Sequence, residues 1–162
     1  MYCTKSKKVV TIMKSFAKNA SGFTFKFFKG QDFQVFLPDN LPADMAEYFV
    51  MLYNFNQLSD LTDFRRCWTP AYPALRGFAT ITLALLHEIG HVMTADAVKE
   101  YSNEQREKDI TAIEETEEWE EYYFLPDERA ATEWAIEWLK NSENRKIAKK
   151  FEKEFFECFI RG

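Results

Sequence analysis

Near the N-terminus Phe23, Phe25 and Phe27 are interleaved with Thr24 and Lys26. That period of two is the pattern of a half-buried β-strand and predicts one over 23–28. Short apolar runs rich in branched and aromatic residues predict two more, over 9–13 and 33–37. Lys29-Gly30-Gln31-Asp32 reads as a turn, which makes 23–37 a hairpin candidate. The period then lengthens. Asp39 or Asn40 can cap a helix starting near Leu41, with Pro42 in its first turn and Met45, Phe49, Leu52 and Tyr53 along its apolar side. Pro70 and Pro73 break an irregular stretch over 56–74. From about 75 to 98 the chain turns helical and almost wholly apolar up to its histidines, as a helix buried on every side requires. Residues 102–121 are charged and predict a solvated helix or mobile segment. Pro126 and Asp127 introduce a helix through Leu139. A last amphipathic helix from about Asn144 carries Ile147, Phe151, Phe155, Phe156 and Phe159 at helical spacing. Strands first and helices after predict an α+β fold, with a small N-terminal antiparallel sheet packed on a helical core.

Composition narrows the class. A chain of 162 residues, 46% of them apolar, suits one domain over 1–162 that buries roughly two thirds of its unfolded surface. Five Gly and five Pro leave little room for long linkers or disorder. The longest apolar run, 79–86, ends at His87 and Glu88 and falls far short of the roughly 20 residues of a membrane span. No membrane partner is expected. Lys5, Lys7 and Lys8 precede an apolar stretch too short for a secretion leader. Cys3, Cys67 and Cys158 are odd in number, scattered and without a CxxC, which predicts reduced thiols in the cytoplasm and excludes a zinc ribbon or finger. The net charge of −5 is uneven: 1–40 carry seven Lys against two Asp, whereas 96–128 carry thirteen acids against three bases. The bases do not gather on one aromatic-bearing element, so direct nucleic-acid binding is not expected.

The two histidines of the chain both fall in His87-Glu88-Ile89-Gly90-His91, a complete HExxH. Residues four apart share a helix face, so both imidazoles can converge on one metal ion, with Glu88 a quarter-turn aside as general base. Zinc would lower the pKa of water there and polarise a scissile carbonyl. Two buried histidines bonded to backbone carbonyls are the bland alternative; the buried helical context favours the metal. A third ligand is needed, and no third histidine exists. On the helix after Pro126, Glu128 shares a small, apolar face with Ala131, Thr132, Ala135 and Leu139, which can approach the histidine helix closely where Gly90 removes a side chain. Glu128 is the preferred ligand, with Glu133 and Asp127 as alternatives; Glu133 and Glu137 fall on the other side with Lys140. Glu128 is equally placed to interact with the dipole of its own helix. Thr132, one turn on, can hydrogen-bond a ligand.

HEIGH followed by Glu128-Arg129-Ala130-Ala131-Thr132-Glu133-Trp134-Ala135-Ile136-Glu137-Trp138-Leu139 resembles the ImmA/IrrE-type zinc metallopeptidases, a gluzincin-like family. Their second motif reads approximately E-x-x-A-[ND]-x-F-A-x-x-L-L. Glu128, Ala131, Ala135 and Leu139 match it, whereas Thr132, Trp134 and Trp138 depart from it. The match covers about residues 78–139. The resemblance implies a zincin-like core, an HExxH helix followed by a ligand-bearing helix, and cleavage of a helix-turn-helix repressor that controls mobile-element or stress genes.

Tyr122 and Tyr123, just before the Glu128 helix, are candidate donors to a developing oxyanion, or simply packing aromatics. The 114–121 acidic run is a solvated face, or a surface that steers a basic partner. The phenylalanines of the last helix predict core or a homodimer seam. The leading expectation is a zinc-dependent endopeptidase. A phage or mobile-element interaction protein, keeping the fold but binding through its acidic segment, is the competing one.

Overall fold

The computed structural model describes residues 2–30, 34–36, 48–53, 65–66, 68–70 and 72–160. It opens on a helix, α1 (Tyr2–Ser21), where a strand over 9–13 was expected. The longer period is the reason. Val9, Met13, Phe16 and Ala17 recur at helical spacing and are all buried, while Lys7, Lys8, Lys14 and Lys18 face solvent. Five residues show only local β-branching; twenty show an amphipathic helix. The helix stops at Gly22, whose φ of 79° carries no Cβ penalty in glycine and whose N–H reaches the Lys18 carbonyl at 2.8 Å.

β1 (Thr24–Lys29) keeps the predicted alternation: Phe25 is buried and Phe27 half-buried, with Thr24 and Lys26 exposed. β2 (Gln34–Phe36) and β3 (Tyr48–Tyr53) complete a three-stranded sheet in the order β1-β3-β2. β3 pairs parallel with β1, Phe49 opposite Phe25, and antiparallel with β2, Met51 opposite Val35. The structure differs from expectation at three points. The sheet is mixed rather than antiparallel, and no 23–37 hairpin forms because β3 lies between the two strands. Residues 48–53, expected in a helix from Leu41, are the central strand; 41–47 lie outside the described residues. Tyr48-Phe49-Val50-Met51-Leu52-Tyr53 is apolar or aromatic throughout, which suits a buried helix or a central strand equally. Two flanking backbone ladders decide for the strand.

Within the 56–74 stretch, residues 56–64, 67 and 71 lie outside the described part, and a 3₁₀ turn over Pro73–Gly77 leads into α2 (Thr80–Thr94). Every residue of α2 from Ile81 to Gly90 is buried. The helix is shorter than the predicted 75–98, because 95–100 form turns. α3 (Asn103–Thr116) orders the charged stretch. Ser102 Oγ caps it by accepting from the Gln105 N–H at 3.1 Å, and Glu117 ends it in the left-handed region at φ 58°. A second 3₁₀ turn, Trp119–Phe124, precedes α4 (Pro126–Lys140) and α5 (Ser142–Ile160). Among the described residues no helix is long and apolar enough to cross a membrane.

Helices supply most of the core. Phe16 of α1 stacks on Phe151 of α5 at 4.3 Å and meets Trp138 of α4 edge-on at 6.0 Å. Phe151 and Phe155 are thus buried within this chain, whereas Phe156 remains 42% exposed. α2 runs through the middle with α4 as its closest neighbour. Its N-terminus has no cap from its own flank, and α5 provides one. Glu152 Oε1 accepts from the Ala79 N–H at 2.6 Å and from Thr82 Oγ1 at 2.8 Å, and Lys149 bridges Glu152 Oε2 and the Gly77 carbonyl. A carboxylate at this end also complements the helix dipole.

Glu152→Ala is therefore expected to lower the unfolding free energy by about 1–2 kcal/mol in urea titrations. Glu152→Gln, which keeps an acceptor, should lose less. An unchanged midpoint for the alanine variant would show that the cap is not holding α2.

Candidate metal centre

The site is assembled where α2 crosses the start of α4, and the crossing is close because of Gly90. A Cβ there would lie 2.3 Å from the Ala131 carbonyl oxygen, so only glycine lets the two backbones meet. α2 contributes His87, Glu88 and His91; α4 contributes Glu128 in its first turn and Thr132 one turn later.

Three donor atoms converge. His87 Nε2 stands 2.8 Å and His91 Nε2 3.4 Å from Glu128 Oε2, and the two nitrogens are 3.2 Å apart. Tetrahedral zinc, with bonds near 2.0–2.1 Å, separates its donors by roughly 3.3 Å. The triangle therefore fits a single zinc ion. His87 Nδ1 lies 2.9 Å from Thr132 Oγ1, and with Nε2 committed to a metal the Nδ1–H is the donor. That bond fixes the ring with Nε2 facing inward. Among the described residues, His87, Glu88 and His91 also form a group whose ligand atoms lie within 4.8 Å of one another.

Glu88 is buried beside this triangle, and its carboxylate accepts the N–H of Val35 in the outer strand β2. Burial raises its carboxyl to about 6, against the opposing pull of His87 and His91. Burial also disfavours ionised Glu128, but hydrogen bonds from His87 and His91 outweigh it and hold that carboxyl far below the usual range. For His91, burial works against the charged ring, and the hydrogen bond and charge of Glu128 reverse the balance, raising its pKa.

The other oxygen of Glu128 faces away from the histidines. Oε1 accepts from Arg106 Nη2 at 3.0 Å and from the Tyr122 hydroxyl at 3.2 Å. Arg106 also donates through Nε to Asp127 Oδ2 at 2.6 Å and through Nη2 to the Tyr122 oxygen at 3.1 Å. Of the three carboxylates weighed as ligand, Glu128 alone faces the imidazoles. Asp127 is turned to Arg106, and Glu133 is exposed, paired with Arg129 at 3.0 Å. Glu137 is exposed on Lys140 at 2.6 Å. The Tyr122 hydroxyl is engaged with Glu128 and Arg106, and burial raises its pKa to about 12. Tyr123 lies edge-on to Tyr122 at 5.9 Å and packs against the core. The acidic residues of 114–121 are exposed, and Glu120 pairs with Arg66 at 2.8 Å.

Arg106, the Val35 N–H and the Glu152 cap escaped sequence reasoning. Arg106 is the one arginine in 96–128, but among thirteen acids its partner cannot be chosen from spacing. The other two contacts join segments far apart in the chain and leave no local pattern. No protein-family model, curated protein or solved structure matches the chain.

The crossing makes Gly90→Ala informative. The variant is expected to lose about 3 kcal/mol of stability and to bind zinc more weakly, because α4 must move away with Glu128. Gly77→Ala is the control, since a Cβ at Gly77 meets nothing within 4 Å. Equal behaviour of the two variants in thermal melts and zinc titrations would remove the close approach from the account of the site.

Proposed function

We propose that this chain is a zinc-dependent metallopeptidase, an endopeptidase in which His87, His91 and Glu128 hold the ion and Glu88 is the general base. One observation carries the reading: two imidazole nitrogens and one carboxylate oxygen converge at zinc-like spacing, with a second buried carboxylate alongside. A purely structural site has no use for that second carboxylate. The HEIGH motif and the Glu128 segment, similar to those of ImmA/IrrE-type peptidases, support the same assignment.

Bound there, zinc supplies a lowered pKa to water and polarises the scissile carbonyl. The chain's own groups do the rest. Glu88, held by the Val35 N–H, takes the proton of the attacking water and delivers it to the leaving amine. Thr132 keeps the His87 ring in register. The substrate is a protein, with a helix-turn-helix repressor the kind the resemblance implies. The exposed 114–121 acids would steer such a basic partner toward the site. Cytoplasmic location fits this substrate and the scattered cysteines, of which Cys158 is free.

Protein purified without added zinc should contain about one equivalent of metal, consistent with a single three-ligand site. Glu128→Ala should come off the column without it and bind added zinc only weakly, through the two histidines. Glu88→Gln should retain zinc while cleavage of a captured partner falls at least about 100-fold. If Glu88→Gln and the wild type act identically on the partner, the chain works by binding and the peptidase assignment fails.

A further inference from the structure

The geometry points to Arg106, acting with Tyr122, as a positioning clamp on the metal-ligating carboxylate of Glu128; this rests on the reading of Glu128 as a ligand. A carboxylate can offer a metal one oxygen or two. Here the two oxygens are divided: Oε2 faces both imidazoles, and Oε1 accepts from the Arg106 guanidinium and the Tyr122 hydroxyl. The Glu128 side chain is only 8% exposed, so without these donors Oε1 would lack most of the hydration that a buried carboxylate oxygen needs.

The clamp suits arginine in particular. Its planar fork bridges adjacent acids, Nε to Asp127 and Nη2 to Glu128, and the guanidinium also lies 5.6 Å from the centre of the Tyr122 ring. Lysine has one ammonium and cannot reproduce the fork. Arg106 also offsets the repulsion between Asp127 and Glu128 at the start of α4. Its source is α3, a helix in which Ile113 is the one buried residue among those described. The acidic stretch 96–128 thus carries the residue that orients the third ligand, and α3 is tied to the metal centre through it.

Zinc affinity, measured by competition with a chromophoric chelator, tests this without any substrate. Arg106→Ala should bind zinc about 10–100-fold more weakly than the wild type. Arg106→Lys should recover part of the loss, and Tyr122→Phe should show a smaller one. In a Glu128→Ala background the Arg106→Ala effect should disappear, which a merely structural role would not produce. With cobalt in place of zinc, Arg106→Ala should alter the visible spectrum, because freed Oε1 can turn toward the metal. Far-UV circular dichroism checks folding; if Arg106→Ala does not fold, Arg106→Lys and Tyr122→Phe carry the comparison.

Wild-type zinc affinity and cobalt spectrum in the folded Arg106 variants would overturn the clamp, as would an equal loss with and without Glu128. A different result separates the two readings: if Glu128→Ala alone binds zinc as tightly as the wild type, Glu128 is not a ligand, and the clamp falls with it.

Discussion

Where α2 and α4 cross, the Ala131 carbonyl oxygen occupies space that any side chain at residue 90 would need, 2.3 Å from the position of its Cβ. The rest of the site depends on this contact. It brings the first turn of α4 against the face of α2 that carries both histidines. One carboxylate oxygen then meets two imidazole nitrogens, and Thr132 reaches the far side of the His87 ring. Backbone closeness of this kind cannot be recovered by side-chain adjustment, since the obstructing atom belongs to a helix and not to a flexible chain end.

Three carboxylates at the apolar interior, Glu152, Glu128 and Glu88, each meet a defined partner. Glu152 reaches from α5 to the start of α2, where unsatisfied N–H groups and the helix dipole favour an anion. Glu128 divides its oxygens between imidazoles on one side and Arg106 with Tyr122 on the other. Glu88 has the N–H of Val35, which joins the outer strand of the sheet to the centre. Burial pushes Glu88 up, while the imidazoles hold Glu128 down. Two neighbouring buried carboxylates are thereby shifted in opposite directions by their surroundings.

How much of this was legible depended on how local the governing contacts are. The helix pair and its candidate residues could be read because a four-residue spacing on a helix places side chains on one face whatever surrounds it. The choice of Glu128 over Glu133 followed from the same periodicity, and in the structure Glu128 is the one that faces the histidines. The N-terminal region was read less well. Val9 to Met13 by itself has the composition of a strand, and its helical period shows only over the whole of α1; 48–53 is apolar throughout and so carries no period that separates strand from helix. The strand order was hidden for a further reason. β1 and β2 are close in sequence, yet their partner is β3, and nothing in either strand specifies which neighbour will supply its hydrogen bonds.

The sequence by itself determined the HExxH spacing, the candidate carboxylate on the helix after Pro126, the glycine that permits a close crossing, and the amphipathic faces of the later helices. All of these rest on repeat distances within one element, which sterics and hydrogen bonding impose locally. Only the tertiary structure decided the mixed sheet, the capping of α2 by α5, the Val35 N–H on Glu88, and the contact of Arg106 with Glu128. Those contacts join segments separated by many residues, and chain connectivity leaves their pairing open until the core packs. The acidic 96–128 stretch shows the division most directly. Its charge is plain in the sequence, but which of its residues turns inward depended on where α4 came to rest.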